Sequence, residues 1–238
     1  MIYIFDIDGT LTPSRNPINS VFKTFFQHFV KNNRVWLVTG SDKDKTIEQL
    51  GIDIWSSVER AYQCAGNQLY MNGGELIREH KFELPTEYEN LLDKFLIQSH
   101  FGIRTGNHIE KRLGLTNFSI VGRNCNQKQR DEYYKWDTEF QERKDMVECL
   151  NRMYPNIEAA IGGQISIDIY AKGKNKSQIL DDIHRWDNNY QFFGDHLQPG
   201  GNDYPVLERA ELENKTEGNS YHSVTCWEDT FEILKSKV

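Results

Sequence analysis

Cysteine is scarce in this chain of 238 residues: Cys64, Cys125, Cys149 and Cys226 stand far apart, without CxxC or zinc-finger spacing. That excludes a disulfide framework and a thiolate-held zinc, and the four read as reduced thiols. Long apolar runs are missing too; none approaches the ~18 residues that cross a bilayer. The opening MIYIFDIDGTLTP has no basic leader, and its apolar run breaks at Asp6. Neither a signal peptide nor a membrane partner is therefore expected, and a cytoplasmic protein is. Basic residues are outnumbered 28 to 35, for a formal charge of −7, which argues against a nucleic-acid partner. The seven histidines form neither HxH nor HExxH, and no GxxxxGK[ST] is present, which removes a histidine metal site and a P-loop. What remains is a chain with 38% hydrophobic and 12% aromatic residues, enough for a large packed core.

IYIF ending in Asp6 reads as a buried strand that delivers a carboxylate at its C-terminal end. Asn16-Pro17 offers a cap and a first-turn proline for a helix. Ile18, Val21, Phe22, Phe25, Phe26, Phe29 and Val30 give that helix an apolar face. Val35 to Val38 (VWLV) then supplies a second strand, completing a βαβ unit and implying a parallel sheet. Ser41 or Asp42 would cap the next helix, which Gly51 would stop. After about residue 62 the pattern changes. QLYM and ELIREH flank Asn72-Gly73-Gly74 as a hairpin, and a helix follows from Thr86 to Ser99. Residues His108 to Val121 look extended, Gln127 to Met153 form one long helix, and Ile157 to Tyr170 are extended again. From Lys176 the alternation returns, with a helix to Trp186, strand YQFFGD, a helix after Pro205, strand HSVTC and a helix to Lys237. The expected fold is α/β: a doubly wound parallel-sheet core (1–79 and 172–238) interrupted by an α+β cap (80–171).

The chemistry begins with Asp6-Ile7-Asp8-Gly9-Thr10. Carboxylates at i and i+2 share one side of a strand end, where open α/β sheets bind ligands. One suits a nucleophile or metal ligand and the other a general acid/base. A bare DxDG equally describes a turn, but three further features accompany it. Val38-Thr39-Gly40-Ser41 offers hydroxyls and backbone N–H groups at a helix start, a phosphate cradle. Lys176 opens the helix that resumes the core. Asp195 follows an apolar strand, with Gly200-Gly201-Asn202-Asp203 just beyond. Carboxylates at neighbouring strand ends make an oxygen-rich cluster that calls for a hard cation, Mg²⁺ in the usual case.

Together DIDGT, VTGS, Lys176 and GD…GGND resemble the haloacid dehalogenase (HAD) superfamily of phosphotransferases. The resemblance implies that Asp6 attacks phosphorus and Asp8 serves as acid and base. Thr39 or Ser41, with Lys176, would hold the phosphoryl group. Asp6, Asp8 through its carbonyl, Asp195 and Asp203 are the implied metal positions. DIDGTLTPSR, GSD, IVGRNC, GGQISIDIY, GKNKSQIL and FFGDHLQPGGND, in that order, closely resemble the eukaryotic-type phosphomannomutases. By that similarity Arg15, Arg112, Arg123, Arg130, Gln164, Ser166 and Asp168 would bind substrate.

Those residue types make sense in themselves. Arginine's planar fork binds phosphate bidentately, and an alternating QISID would place Gln164, Ser166 and Asp168 on one face toward sugar hydroxyls. The chain departs from the family at Cys64-Ala65-Gly66-Asn67-Gln68, where a Glu-Asn-Gly turn is usual. It departs again at Thr39, where glycine is common, and in EKRLGL around Arg112. The expected function is interconversion of mannose 6-phosphate and mannose 1-phosphate, dependent on Mg²⁺ and primed by a hexose 1,6-bisphosphate. The resemblance also implies GDP-mannose synthesis and a homodimer through the cap. A sugar-phosphate phosphatase using water as acceptor is the alternative; a noncatalytic sugar-phosphate binder would have no need of Asp6 and Asp8 together.

Overall fold

The computed structural model describes residues 1–184 and 189–237. The chain begins with β1 (Ile2–Phe5), α1 (Ser20–Asn32), β2 (Arg34–Val38), α2 (Lys43–Leu50), the single turn α3 (Ile52–Trp55) and β3 (Arg60–Gln63). A hairpin of β4 (Gln68–Met71) and β5 (Glu75–Glu79) follows. Next come α4 (Thr86–Gln98), β6 (Ile109–Arg112), β7 (Leu115–Phe118), α5 (Gln127–Phe140), α6 (Glu142–Met153), β8 (Ile157–Gly162) and β9 (Ser166–Ala171). The last stretch holds a 3₁₀ turn (Lys176–Gln178), α7 (Ile179–His184), β10 (Tyr190–Gly194), α8 (Tyr204–Leu212), β11 (Ser220–Ser223) and α9 (Trp227–Lys235).

One sheet has seven strands in the order β11-β10-β1-β2-β3-β4-β5, parallel through β3 and antiparallel at β4 and β5. Its central strand β1 is apolar throughout because both faces are covered. Phe5 stacks on Phe193 at 4.7 Å and meets Phe26 of α1 edge-on at 5.3 Å. On the other face Ile2 and Ile4 join Trp36, Val38 and Phe192. The chain leaves β1 for β2 on one side and returns through β10 on the other, so β1 stands at the switch point. Residues following β1, β2 and β10 emerge together at the carboxyl edge, where such sheets bind ligands.

The second sheet, β6-β7-β9-β8, is antiparallel throughout. Residues of α4, α5 and α6, among them Leu92, Tyr133 and Leu150, form a core with Phe118, Ile167 and Ile169 of its strands. This is the doubly wound core with an α+β insertion that the sequence pattern implies. Asn67 ties the two parts. Its backbone carbonyl accepts from His80 N (2.7 Å), and its Nδ2 donates to Gly114 O (3.1 Å) and Lys174 O (3.0 Å). Gly114 has φ +81°, and a Cβ there would lie 2.2 Å from the Asn67 Cβ, so this close seam requires glycine. The unusual turn before Asn67 is left-handed at Cys64 and Ala65. Among the described residues no helix is long and apolar enough to cross a membrane.

Several local expectations change. Helix α1 starts at Ser20, capped by Asn19 and not by Asn16; the Asn19 side chain accepts from Val21 N and Phe22 N, and Val21 faces solvent. Asp42, not Ser41, caps α2, and Gly51 ends it at φ +89°. Strand β3 has no counterpart in the sequence reading. Residues 108–121 and 157–170 are each hairpins, turning at Leu113-Gly114 and Gly163-Ile165. The long helix breaks at Gln141 (φ 56°), where Asp137 accepts from Arg143 N (2.8 Å) and Nε (2.7 Å) and begins a new helix. Strand β11 stops at Ser223, and the expected helix end at Trp186 lies outside the described residues.

Candidate active site

Asp6 leaves β1 with its N–H donating to Phe193 O (2.9 Å), and its carboxylate is buried. Lys176 Nζ, 1% exposed, donates to Asp6 Oδ1 (2.8 Å) and Asp203 Oδ1 (2.7 Å). The second Asp203 oxygen accepts from His196 N (3.1 Å). Asp6, Asp195 and Asp203 offer oxygens within 4.8 Å of one another, so one ammonium faces three carboxylates. Burial, then Asp203 and Asp8, push the Asp6 carboxyl up to about 7 despite Lys176. Burial and the neighbouring Asp6 and Asp203 raise Asp195 as well. Although burial disfavours its charge, Lys176 is held above its ordinary value by Asp203 and Asp6. Asp195 Oδ1 is buried without a hydrogen-bond partner. Surplus negative charge, an unpartnered oxygen and an all-oxygen donor set fit a hard divalent cation such as Mg²⁺. Gly9 (φ +79°) makes room for this cluster: a Cβ there would lie 2.3 Å from Asp195 Oδ2.

The Asp8 carboxylate lies apart from that triad. Its Oδ1 accepts from Gln49 Nε2 (2.9 Å) and from Arg15 N, whose residue has a left-handed backbone. Gln49 Nε2 also donates to Thr12 Oγ1 (3.0 Å). Thr39 and Ser41 are both buried and face one cavity with Asp6 and Asp8. Ser41 N donates to Thr39 Oγ1 (3.1 Å), which ties the two hydroxyl-bearing residues at the start of α2.

Four arginines line the same cavity: Arg15, Arg112, Arg123 and Arg130. Arg112 and Arg123 share Glu110, at 2.6 Å and 3.1 Å. Arg112 also donates to Gly40 O (2.8 Å), reaching across to the large sheet. Arg130 touches the Cys125 sulfur at 3.8 Å, and no carboxylate pairs with it among the described residues. Burial, then Arg15 and Arg112, lower Arg123 to about 10; burial and Arg130 lower Arg15. At Arg112 burial opposes the charge, but Asp168 and Glu110 more than offset it. This set has surplus positive charge and suits an anion.

Ser166 Oγ accepts from Arg123 Nη1 (2.8 Å), and Asp168 Oδ1 accepts from Asn117 Nδ2 (2.7 Å). Gln164 belongs to the β8–β9 turn rather than to an alternating strand; Asp131 on α5 holds its amide at 2.8 Å. All three line the cavity nonetheless. Across the seam Ile161 N donates to Gly200 O (2.9 Å), and Asn202 N to Ile161 O (3.2 Å), so the cap is closed on the GGND loop. The cavity measures about 40 Å³. Small-molecule sites run to roughly 300 Å³ or more, so this cavity by itself is smaller than a sugar phosphate needs.

Gln49, Glu110, Asn117 and His196 were not singled out by sequence, and Asn202 was named only as part of the GGND motif, without a role. Burial sets the His196 ring low, to about 4. One local signal was available for His196, its place directly after Asp195. Gln49, Asn117 and Asn202 are distant in sequence from the groups they hold, and Glu110, two residues from Arg112, reaches Arg123 thirteen residues on.

The sequence profile described as eukaryotic phosphomannomutase matches residues 22–238. Curated relatives named phosphomannomutase include one from Dendrobium officinale, 36% identical over 99% of this chain and 93% of its own. Another, from Saccharomyces cerevisiae, is 32% identical over 98% of this chain and 92% of its own. Among solved structures, an IMP-nucleotidase of Plasmodium falciparum aligns with TM-score 0.62 at 17% identity, covering 99% of this chain and 67% of that one. A HAD subclass IIB sugar phosphatase aligns with TM-score 0.58 at 17% identity, covering 99% and 98%. At such identities the structural matches speak for the fold alone. With the profile spanning nearly the whole sequence and full-length relatives above 30% identity, the chain belongs to the eukaryotic phosphomannomutase family.

Proposed function

We propose that the chain interconverts mannose 6-phosphate and mannose 1-phosphate through a phosphate ester on Asp6. One observation carries the reading: a lysine-pinned carboxylate cluster and a set of four arginines come together at a single cavity. A mutase needs both, because it handles the reacting phosphate at one end of the sugar while gripping the other end. Asp6 attacks phosphorus, the bond to the sugar oxygen breaks, and Asp8 gives that oxygen its proton. Starting from a hexose 1,6-bisphosphate, that step leaves a phosphoryl group on Asp6; Asp8 then takes the proton from the free hydroxyl of a hexose monophosphate, whose own phosphate rests on the arginines, as that oxygen attacks the phosphorus and the bond to Asp6 breaks. Gln49 and the Arg15 N–H keep the Asp8 carboxylate oriented for both steps. Lys176, Thr39 and Ser41 bind the transferring group; Arg15, Arg112, Arg123 and Arg130 bind the distal phosphate; Gln164, Ser166 and Asp168 meet sugar hydroxyls.

Asp6, the Asp8 carbonyl and Asp195 would hold Mg²⁺, with Asp203 completing the acidic cluster and fixing Lys176. When bound, the ion supplies charge that screens carboxylate from phosphate and stabilises the equatorial oxygens. This reading includes a core of 1–79 and 172–238, a cap of 80–171 and priming by a hexose 1,6-bisphosphate. Cytoplasmic location, a role in GDP-mannose synthesis and a homodimer through the cap belong to the same reading.

One feature favours hydrolysis as a second outcome. A neighbouring cavity of about 480 Å³, reaching Trp227 and Tyr134, touches Asp8 and Asp195 and gives water room beside them. A coupled assay with mannose 1-phosphate, Mg²⁺ and a trace of hexose 1,6-bisphosphate separates the readings. Mannose 6-phosphate is the expected product. Stoichiometric free phosphate would establish the phosphatase, and absence of turnover would refute both.

A further inference from the structure

Three strands of the second sheet carry a row of polar side chains. Glu110 of β6, Asn117 of β7 and Asp168 of β9 lie directly opposite one another, so their side chains share one face. Asn117 and Asp168 line the same cavity as Asp6 and Asp8. Glu110 spends one oxygen on Arg112 and the other on Arg123. Asp168 Oδ1 accepts from Asn117 Nδ2 at 2.7 Å, and no residue donates to its Oδ2 among the described residues. Because a carboxylate only accepts, Asp168 fixes the orientation of the amide, with Nδ2 toward it and Oδ1 away. That Oδ1 is buried without a partner, and Asn117 as a whole is 3% exposed. A buried amide with its acceptor unpaired costs stability, so folding does not explain an asparagine in this strand. Two glycines make way for the same carboxylate. A Cβ at Gly162 would lie 2.4 Å from Asp168 Oδ2, and one at Gly40 3.0 Å from it.

We propose that Asn117 is a positioning residue that aims the free oxygen of Asp168 at a ring hydroxyl of the sugar phosphate and thereby sets the selectivity for that hydroxyl. The amide N–H holds the carboxylate in place before the sugar arrives, so less ordering entropy is lost on binding. A neutral side chain suits this position: it stands opposite both Glu110 and Asp168, and a carboxylate there would repel each of them. The sugar hydroxyl donates to Asp168 Oδ2. A substrate without that hydroxyl leaves a buried carboxylate oxygen unpaired, which is the source of discrimination. The inference rests on the sugar-phosphate reading above and goes beyond it by making selectivity depend on a residue that acts through Asp168.

The test is steady-state kinetics of the full-length protein with mannose 1-phosphate and its 2-, 3- and 4-deoxy analogues, reading the inhibition constant for an analogue that is not turned over. Circular dichroism verifies folding. Asn117→Ala is expected to raise KM for mannose 1-phosphate by about 10–30-fold, with kcat within about threefold. For the analogue that lacks the hydroxyl held by Asp168, wild type and Asn117→Ala are expected to bind alike, because the carboxylate has nothing left to meet. Asn117→Thr suits a strand, and its shorter side chain loosens the tether; a rise of about threefold to tenfold is expected. It carries the test if the alanine variant fails to fold. An unchanged KM, or a rise by the same factor for the parent sugar and all three analogues, would overturn the assignment; the second result is what a purely structural role gives. Asp168→Ala is the control. If it raises KM selectively while the Asn117 variants do not, only the role of Asn117 falls. If the wild type turns over no sugar phosphate, the sugar-phosphate reading falls, and this inference with it.

Discussion

The floor and the roof of the cavity are unbalanced in opposite senses. On the floor, Asp6, Asp195 and Asp203 share Lys176, and burial raises the proton affinity of Asp6 and Asp195. At the same cavity four arginines have Glu110 and Asp168 near them, and burial with mutual repulsion lowers the proton affinity of Arg15 and Arg123. Neither set comes near neutrality by pairing within itself. A buried charge without a partner is costly, so each wall is stabilised by a ligand of the missing sign. A cation and an anion are what a phosphorylated sugar with Mg²⁺ provides, and the burial of these side chains makes those charges act more strongly than in water.

The strongest way to break the comparison is on the floor. Asp6→Asn keeps the shape and removes the nucleophile, so turnover falls by on the order of 10⁴-fold or more, as for other deleted nucleophiles, with the melting curve still cooperative. Wild-type turnover in the coupled assay would exclude Asp6 as the attacking group. On the arginine wall the effect is smaller and selective. Arg123→Ala raises KM for the hexose monophosphate by about 100-fold, matching roughly 2.7 kcal/mol of lost charged contact. Hydrolysis of a small aryl phosphate, which has no distal phosphate, stays nearly unchanged. Equal losses on both substrates would show that the wall acts on the reacting phosphate instead.

The smallest effect concerns pH. Asp6 binds its proton more tightly when folded (about 7) than the ordinary value of 3.8 for the open chain. Between those values the native state holds more protons, so stability falls as pH rises through the window. The metal-free protein should lose about 5 °C in Tm between pH 4.5 and pH 7.5 from this source. Mg²⁺ should raise Tm more at the higher pH, where the carboxylates are ionised. A Mg²⁺ shift that is the same at both ends, read by scanning calorimetry, would remove the coupling between floor charge and metal.

Much of the floor was legible because it follows strands. A short apolar run ending in Asp6 and a second ending at Asp195 carry their own signal, and parallel βαβ alternation brings their carboxyl ends to one edge. Thr39 and Ser41 follow from the end of β2 in the same way. The cap was harder. An extended stretch and a hairpin share composition until a turn is seen, which is why Gly163-Gln164-Ile165 read as strand and Gln164 was placed on the wrong element. The break at Gln141 depends on Asp137 capturing Arg143, a contact between side chains with no Gly or Pro to announce it.

From its own order of residues the chain determined the architecture and the placing of Asp6, Asp8, Thr39 and Ser41 at neighbouring strand ends, because strand ends and turns are local chemistry. Tertiary structure alone decided that Gln49 steadies Asp8, that Glu110 joins two arginines, and that Asn67 closes against Gly114. These pairs are remote in sequence or act across two elements, and only packing determines which side chains share a buried space. The same holds for the electrostatics: a list of charges reports a net of −7, whereas burial sorts them into an acidic floor and a basic roof.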